Sequence, residues 1–526
     1  MRYIDQNITS RGANRAVRVQ EQQRRNRMRK ANHRWKKNAA AIAGTFLFAA
    51  GPVQAQDSSE RLQELERAVK ELSSEIDTLK GADTKAAATI QKVDSEVPTV
   101  VWREGVEIND PRGDWSLRVF GRGQLDYRQF DPNGAANTFS IRRARLGAGI
   151  TFMEDYGLTI EGEYATGSAQ GAATQGTAIT NAYMDFNWFS KARIRAGQFK
   201  PQFGLENTAS ANFSDFQERA LTQNLIQNLN YDRGIMVHGS PIKGLNYSVT
   251  LGNGTGLNLE ERQGTRQELD ADGKLLTARL TADFAQFLDV KDSLIHIGAS
   301  YKSGAVANAS ANGFIAASGQ TEGRGVIFFN PEAFAATGVD ASNVDRTLSL
   351  GELALACKSV KLQAEYWEAR YVGTRTTAPV TSFDRKIESG YVSVLWLVTG
   401  ENYLDSYSSG TFGRIRPRNN FSMDEGGGRG AWELGVRYSF FDAGDFDAAG
   451  IGVANTGRVS TAGTGVTAST PTREADAWTL GVKWMPNAYT RLMANYTVTE
   501  FDTPIVVNGI TMEEEKSLTL RAQVDF

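Results

Sequence analysis

Apolar and polar side chains alternate along much of the chain from Trp115 to the C-terminus, and this period of two restricts the fold more than any other feature. Because successive side chains of a β-strand point to opposite faces, each such segment has one apolar and one polar face. The last segment shows the pattern most clearly, with apolar side chains at Leu518, Leu520, Ala522, Val524 and Phe526. The polar residues between them are Ser517, Thr519, Arg521, Gln523 and Asp525. Lipid outside and water inside a closed β-barrel require this arrangement.

Sixteen such segments can be counted, and an even number is typical of bacterial transmembrane barrels. They cover residues 115–128, 140–153, 156–166, 179–189, 192–199, 232–239, 244–252, 274–286, 293–303, 347–357, 360–372, 388–398, 431–441, 475–485, 489–499 and 514–526. The longest apolar stretch, 39–51, is shorter than the roughly 20 residues of a membrane helix. The sequence therefore predicts an all-β protein in which residues 115–526 form a 16-stranded antiparallel transmembrane β-barrel.

The connections between these segments alternate in length, as do the short turns and long loops at the two ends of a barrel. Tight turns fall at 154–155, 190–191, 240–243 and 485–488, and long connections at 200–231, 304–346 and 442–474. Segment 399–430 is long where a short turn is expected, so we expect it to fold back into the pore. A soluble β-sandwich is the structural alternative, but it requires neither export nor this alternation of lengths.

The N-terminal region has the composition of an export signal. Residues 1–55 contain 12 Lys or Arg and 2 Asp or Glu, an apolar stretch at 39–48, and a cleavage site of the small-x-small type at 53–55. A start at Met28 would leave a signal of ordinary length, and a genuinely extended signal is the alternative. Export places the barrel in the bacterial outer membrane, with the segment after the signal in the periplasm.

Residues 56–97 have the heptad pattern of an α-helical coiled coil. Apolar residues follow one another at spacings of three and four, at Leu62, Leu65, Val69, Leu72, Ile76 and Leu79. The pattern predicts that helices associate with each other, hence an oligomer. One alternative is a single amphipathic helix lying on another surface. Another is a tether, anchored by the barrel, that binds peptidoglycan or a periplasmic partner. Residues 98–114 are expected to be a linker.

Catalytic and metal-binding patterns are missing from the sequence. Cys357 is the only cysteine, so the chain has neither an internal disulfide nor a cysteine metal site. Beyond the signal there are two histidines, His238 and His296, and no HExxH, GxSxG, CxxC or phosphate-binding-loop motif. We therefore expect neither an enzyme nor a cofactor nor a metal site.

The exported part of the chain is acidic, so an anion preference must come from where its cations lie. Without residues 1–55, 46 basic and 58 acidic residues remain, and the net charge is −12. No nucleic-acid partner is expected. The alternation places several arginines on the pore face, among them Arg122, Arg143, Arg145, Arg193 and Arg195. Lys200 and Arg219 belong to the long loop 200–231, which is expected to fold inward and narrow the channel.

These cations have two interpretations that the composition does not separate. Arginine keeps its charge and offers a planar fork of donors that fits phosphate or carboxylate oxygens, and rings of Arg or Lys select anions in pores. Alternatively, the arginines merely balance carboxylates in a water-filled lumen, such as Glu161, Glu163, Glu365 and Glu433.

Five stretches within residues 110–526 together resemble the phosphate-selective porin O/P family. They are Phe120–Tyr127 (FGRGQLDY), Ile141–Leu146 (IRRARL), Gly197–Glu206 (GQFKPQFGLE), Leu362–Tyr366 (LQAEY) and Gly430–Leu434 (GAWEL). The resemblance implies a sixteen-stranded trimeric porin in which arginines line a path to a narrow constriction. It also implies that Arg142 and Arg143 match the family's constriction arginines. The sequence departs from the family at Asn207, where members with a well-defined phosphate site tend to carry Lys.

The expected function is that of a passive outer-membrane porin with a preference for small inorganic anions, phosphate or a related oxyanion first among them. Arg142 and Arg143 would be the main oxyanion contacts, and Arg193, Arg195 and Lys200 would steer ions toward them. The expected assembly is a homotrimer in outer-membrane lipid. The alternatives are a non-selective diffusion porin and a barrel that anchors a coiled-coil tether to the cell wall.

Overall fold

A computed structural model gives the fold of the chain. It describes residues 63–81, 97–102, 104–165, 178–226, 230–254, 256–257, 274–305, 319–329, 345–375, 381–424, 426–446, 466–467 and 472–526. The predicted signal at 1–55 lies outside the described residues, as do positions 56–62 and 82–96 of the predicted coiled coil. The chain forms two compact units, Met1–Asp94 and Ser95–Phe526.

In the first unit, residues 63–81 form an α-helix, α1. Two short helices belong to the second unit, α2 (Leu205–Thr208) and α3 (Phe284–Phe287), together with 3-10 turns at Leu221–Leu225 and Tyr403–Ser406. No described helix combines the length and the apolar composition that crossing a bilayer would need.

The second unit begins with a hairpin of β1 (Thr99–Trp102) and β2 (Val106–Asn109), in the segment 98–114 that we expected to be a linker. β2 continues the sheet by pairing with the start of β3, with Val106 opposite Val119. The difference from the expectation has a physical reason. Each strand has only four residues, too few to show the alternation of a membrane strand, and pairing with an existing strand stabilises such short segments.

Sixteen antiparallel strands then form a closed barrel, which confirms the predicted fold class. They are β3 (Trp115–Asp131), β4 (Thr138–Phe152), β5 (Tyr156–Glu163), β6 (Ala178–Phe186), β7 (Arg193–Phe199), β8 (Asp232–Gly239), β9 (Leu245–Gly252), β10 (Leu275–Asp283), β11 (Ser293–Ala305), β14 (Asp345–Cys357), β15 (Val360–Arg375), β16 (Thr381–Leu397), β19 (Ala431–Asp442), β21 (Glu474–Asn487), β22 (Thr490–Val507) and β23 (Ile510–Asp525). The barrel closes where β23 pairs with β3, with Lys516 opposite Asp131.

The predicted faces are found on the strand that showed them best. In β23, Leu518, Leu520 and Val524 are 38–54% exposed on the outer surface. Thr519 and Arg521, between them, are 3% exposed and face the interior. This distribution is the one that lipid outside and a polar lumen favour.

One connection is much shorter than expected, because β22 and β23 extend well beyond their predicted limits at 499 and 514. Asn508 and Gly509 join them, with φ angles of 51° and 80°. Two-residue hairpins favour this left-handed conformation, and Asn-Gly is the dipeptide that adopts it most easily. This turn lies at the end of the barrel that bears residues 200–231, which we call the loop end. The other tight turns lie at the opposite end, which we call the turn end.

Residues of three connecting segments contact the inner face of the barrel wall. The constriction loop (residues 200–231) and the loop-end segment (319–329, with β12 at Gly319–Gln320 and β13 at Val326–Phe329) enter from the loop end. β13 also pairs with β20 (Val466–Thr467). The turn-end segment (398–430, with β17 at Tyr407–Ser408 and β18 at Thr411–Phe412) enters from the other end. Tyr403 and Phe412 of the turn-end segment are buried in one apolar cluster with Leu205 of the constriction loop, which confirms that 399–430 folds back into the pore.

Candidate functional site

The site begins with an irregularity in the barrel wall, where β3 and β4 pair. Gln124 lies opposite Arg143 and Leu125 lies opposite Ile141, so Arg142 is an extra residue in a β-bulge. Alternation alone would send neighbouring residues to opposite faces, but a bulge resets the phase of the strand. Ile141 therefore faces outward at 59% exposure, while Arg142 and Arg143 both face the interior.

The constriction loop crosses the lumen and is held on the far wall. The Glu365 carboxylate on β15 accepts hydrogen bonds from the backbone N–H groups of Leu205 and Glu206, the latter at 2.9 Å. Lys361 Nζ on the same strand donates to both carboxylate oxygens of Asp215 at 2.8 Å. Phe216 at the middle of the loop is 2% exposed. Packing, capping and an ion pair thus fix the loop against the wall opposite the bulge.

Between the constriction loop and the wall made by β3 to β8 lies a cavity of about 250 Å³, the anion cavity. Six of its fourteen lining residues are cations, and among the described residues none of the lining side chains is acidic. The cations are Arg122, Arg143, Arg145, Arg195, Lys200 and Arg219. Neutral donors and acceptors complete the lining, including Asn181, Gln202, Thr208, Ser210, Asn230 and Tyr231. A charged solute that entered this cavity would meet positive charge from both the wall and the loop.

Three of the six cations are paired with wall carboxylates. Arg122 Nη2 lies 3.1 Å from Glu161, and Arg145 Nε lies 2.7 Å from Glu163. Arg145 also donates to the Tyr231 hydroxyl at 2.8 Å. The third paired cation is Arg195 on β7, which forms two hydrogen bonds with Asp185, at 2.7 and 3.0 Å.

The other three cations, Arg143, Lys200 and Arg219, bind neutral groups, and no carboxylate of the described chain lies at ion-pair distance from them. Arg143 Nη1 donates to Gln124 Oε1 at 2.8 Å. Lys200 Nζ donates to the carbonyl oxygens of Asn207 and, at 3.1 Å, Ala209. Arg219 donates to Gln223 Oε1 at 3.1 Å and, with long bonds of 3.4 Å, to the same two carbonyls. These three cations line the same cavity, and each has donor capacity to spare.

A second, smaller cavity lies beside the anion cavity and shares Arg143 and Arg219 with it. Its lining includes Arg142, Arg324 of the loop-end segment, and one carboxylate, Glu218. Glu218 binds Arg142 through two hydrogen bonds of 2.8 and 3.2 Å. The same carboxylate accepts from Arg128 at 2.7 Å and from Arg521 at 3.0 Å. A single loop carboxylate thus neutralises part of a dense group of wall arginines.

The loop groups have strongly shifted pKa values. Burial alone would raise the pKa of Glu218, but Arg142, Arg128 and Arg521 outweigh burial and hold it well below the ordinary range of a glutamate. Burial and the nearby cations, Arg219 first, lower the pKa of Lys200 well below the usual lysine value. Glu218 is therefore ionised throughout the physiological range. Lys200, in contrast, loses its proton at a lower pH than an ordinary lysine does.

The structure brings together seven of the eight residues that the sequence singled out. Arg122, Arg143, Arg145, Arg195, Lys200 and Arg219 line the anion cavity, and Arg142 lines the adjoining one. Arg193 is exposed at the start of β7, toward the turn end, and lines neither cavity. Asn207 is buried and presents its backbone oxygen to Lys200.

Several residues of the site could not be found from the sequence. Glu218 and Arg324 come from connections whose path depends on contacts with distant strands. The alternation places Gln124 on the pore face but gives it no particular role. In the structure its side-chain oxygen accepts a hydrogen bond from Arg143, and its side-chain nitrogen donates to Gln523 Oε1 at 2.7 Å. No group of three or more metal-binding side chains is found in the part of the chain that the structure describes.

A closed sixteen-stranded barrel narrowed by an internal loop defines this protein as an outer-membrane porin, a channel rather than an enzyme by class. Residues 117–526 match the family of the phosphate-selective porins O and P, and the chain belongs to that family. Porin O of Pseudomonas aeruginosa is 22% identical over 432 residues, which cover 77% of this chain and 87% of that protein.

Solved structures that are similar to this chain include a porin and an outer-membrane channel. An anion-selective porin from Comamonas acidovorans is 12% identical, with a TM-score of 0.47, over 78% of this chain and 100% of the other. The outer-membrane channel DcaP of Acinetobacter baumannii is also 12% identical, with a TM-score of 0.43, over 78% of this chain and 97% of the other.

Proposed function

We propose that this porin conducts small anions passively across the outer membrane, with phosphate or a related oxyanion as its preferred solute. The anion cavity is the proposed selective part of the path, and the family to which the chain belongs is described as phosphate-selective. The proposed working form is a homotrimer in outer-membrane lipid, as the sequence resemblance implies.

The lining of the anion cavity carries this proposal. Six cations and no acidic side chain line it among the described residues, and Arg143, Lys200 and Arg219 bind only neutral groups there. An oxyanion would exchange part of its hydration shell for guanidinium and ammonium donors. Exit stays possible because each cation keeps its neutral partners when the anion leaves.

The positions of the three cations favour a compact oxyanion. Gln124 and Gln523 hold the Arg143 guanidinium through a chain of side-chain hydrogen bonds. Lys200 has three ammonium donors and uses two of them on the carbonyls of residues 207 and 209, which leaves one for a solute. Lys200 thus places an ammonium beside Asn207, the position at which relatives with a well-defined phosphate site tend to carry Lys. A tetrahedral anion has enough oxygens to bind donors on both the wall and the loop.

The decisive experiment replaces Arg143 by glutamine and measures the purified protein in a planar bilayer. At roughly 4 Å, one unit charge contributes about 1 kcal/mol in bulk water and more in a partly buried site. We expect Arg143→Gln to weaken phosphate block of the chloride current by at least about fivefold and to shift the reversal potential toward cations. Arg193→Gln is the matched control, because it removes the same charge outside both cavities.

A non-selective diffusion porin is the second candidate, and the ion pairs of the wall favour it. Arg122, Arg145 and Arg195 all have carboxylate partners, so much of the lumen charge is balanced. In that case neither variant would change the reversal potential, and phosphate would leave the chloride current unaffected. That result would replace the anion-selective proposal with this one.

A further inference from the structure

The helix α1 has an apolar seam that no described residue covers. Every residue of 63–81 is exposed, including the seam residues Leu65, Val69, Leu72, Ile76 and Leu79, at 45–63%. A helix of this length gains most of its stability from packing an apolar face, and exposed seams of large apolar side chains mark association sites. The seam therefore requires a partner.

The charges that flank the seam identify the partner as another copy of the same helix in parallel orientation. With Val69 and Ile76 at heptad position a and Leu72 and Leu79 at d, Glu75 occupies position g and Lys80 the following position e. In a parallel, in-register coiled coil, g of one helix lies beside the next e of its neighbour. Glu75 would then meet Lys80 of another copy, and the sequence shows the same complementarity two heptads earlier with Arg61 and Glu66.

We infer that α1 associates with the α1 helices of other copies of this chain as a parallel, in-register coiled coil. Barrels inserted in one membrane in the same orientation present their N-terminal segments on the same side, which favours parallel over antiparallel pairing. In isolated coiled coils, Val and Ile at a with Leu at d favour an association of two helices. In a trimeric porin, the three barrels would bring three copies of α1 together, so a three-helix coiled coil would form instead.

Disulfide trapping in the full-length protein tests both the contact and its direction. In a Cys357→Ser background, a cysteine at Leu65 or at Leu79 faces its own counterpart in a parallel register. In an antiparallel pair centred on Leu72, residue 65 would face residue 79 instead. We expect Leu65→Cys and Leu79→Cys each to give an oxidised dimer on a non-reducing gel, at least tenfold more than Ser74→Cys on the opposite face of the helix.

Charge exchange supplies the second arm. Glu75→Lys places like charges at g and e of neighbouring helices, so we expect it to reduce the Leu65→Cys dimer severalfold. The double exchange Glu75→Lys with Lys80→Glu restores the opposite charges between helices and should restore the dimer. Residues 75 and 80 are five apart, so they do not face each other within one helix.

Two outcomes would overturn the inference. Equal trapping at residues 65 and 74, with a barrel that still shows its heat-sensitive gel mobility, would mean that the seam is covered by another molecule, such as a cell-wall polymer. A dimer that forms when the Leu65→Cys and Leu79→Cys variants are co-expressed, but with neither variant alone, would establish antiparallel pairing. Because both readouts are independent of conductance, neither outcome bears on the proposed anion selectivity.

Discussion

Glu218 is the residue whose removal should increase anion binding, which makes it the sharpest test of how this pore is charged. Its carboxylate binds Arg142, Arg128 and Arg521 and is the only acidic group among the described residues that line the second cavity. Arg128 and Arg521 keep Asp126 as a partner if Glu218 is neutralised. Glu218→Gln therefore adds one net positive charge to the arginines around this position and leaves Arg128 and Arg521 paired.

The expected magnitude follows from Coulomb's law. At roughly 6 Å from a bound anion, one unit charge contributes about 0.7 kcal/mol in bulk water and about 3 kcal/mol at an effective dielectric constant of 20. These limits correspond to an increase in phosphate affinity of about 3-fold to about 100-fold. Because the pKa of Glu218 lies well below the ordinary glutamate range, the carboxylate is charged at neutral pH and the substitution removes a full charge.

The assay is the phosphate concentration that halves the chloride current through a single channel in a planar bilayer. It should fall in Glu218→Gln by a factor within those limits, and the reversal potential in a salt gradient should move toward greater anion selectivity. Asp215→Asn is the control, since Asp215 lies on the same loop and pairs with Lys361 but lines neither cavity. A folded Glu218→Gln channel with unchanged or weaker phosphate block would refute the electrostatic account of the constriction.

Two further predictions concern the constriction loop. Because its pKa is lowered, Lys200 should lose its proton at a pH below the ordinary lysine range, so phosphate block should weaken as pH rises, and Lys200→Arg should abolish that component in a pH series of block measurements. Glu365→Ala removes the acceptor of the Leu205 and Glu206 N–H groups, at a cost of about 1–3 kcal/mol for each unsatisfied donor. Single-channel recordings of Glu365→Ala should show more open-channel noise and a larger conductance than those of Glu368→Ala, on the outer face of the same strand; equal noise would mean that the loop is held by its other contacts.

The barrel was predictable because its cause is local. Each strand of the wall must separate lipid from water, so apolar and polar side chains alternate within every strand. All sixteen predicted segments correspond to strands. The errors lie where that cause is weak. β1 and β2 are too short to show a period, and the loop-end halves of β22 and β23 follow the hairpin turn at Asn508 rather than a membrane boundary.

The sequence predicted most of the cations of the candidate site, but not which of them form ion pairs with carboxylates. Alternation placed Arg143 and Arg145 on the pore face, whereas the inward position of Arg142 depends on a bulge that no periodic pattern reveals. Alternation also placed Arg193 beside Arg195, although only Arg195 reaches the depth at which the loop crosses the lumen. Which arginines are neutralised depends on contacts such as that of Arg142 with Glu218, 76 residues apart in sequence.

The division between paired and unpaired cations explains how such a site can fold before any anion binds. Six cations around one cavity repel each other, and a buried charge without compensation is strongly destabilising. Glu161, Glu163 and Asp185 behind the wall arginines offset part of this repulsion, Glu218 on the loop does the same for Arg142 in the adjoining cavity, and these pairs fix the guanidinium groups in place. Arg143, Lys200 and Arg219 are held by neutral groups instead, so their charge stays available to a solute. The acidic residues are therefore part of the anion path: they determine how many cations the lumen tolerates and which of them a passing anion meets.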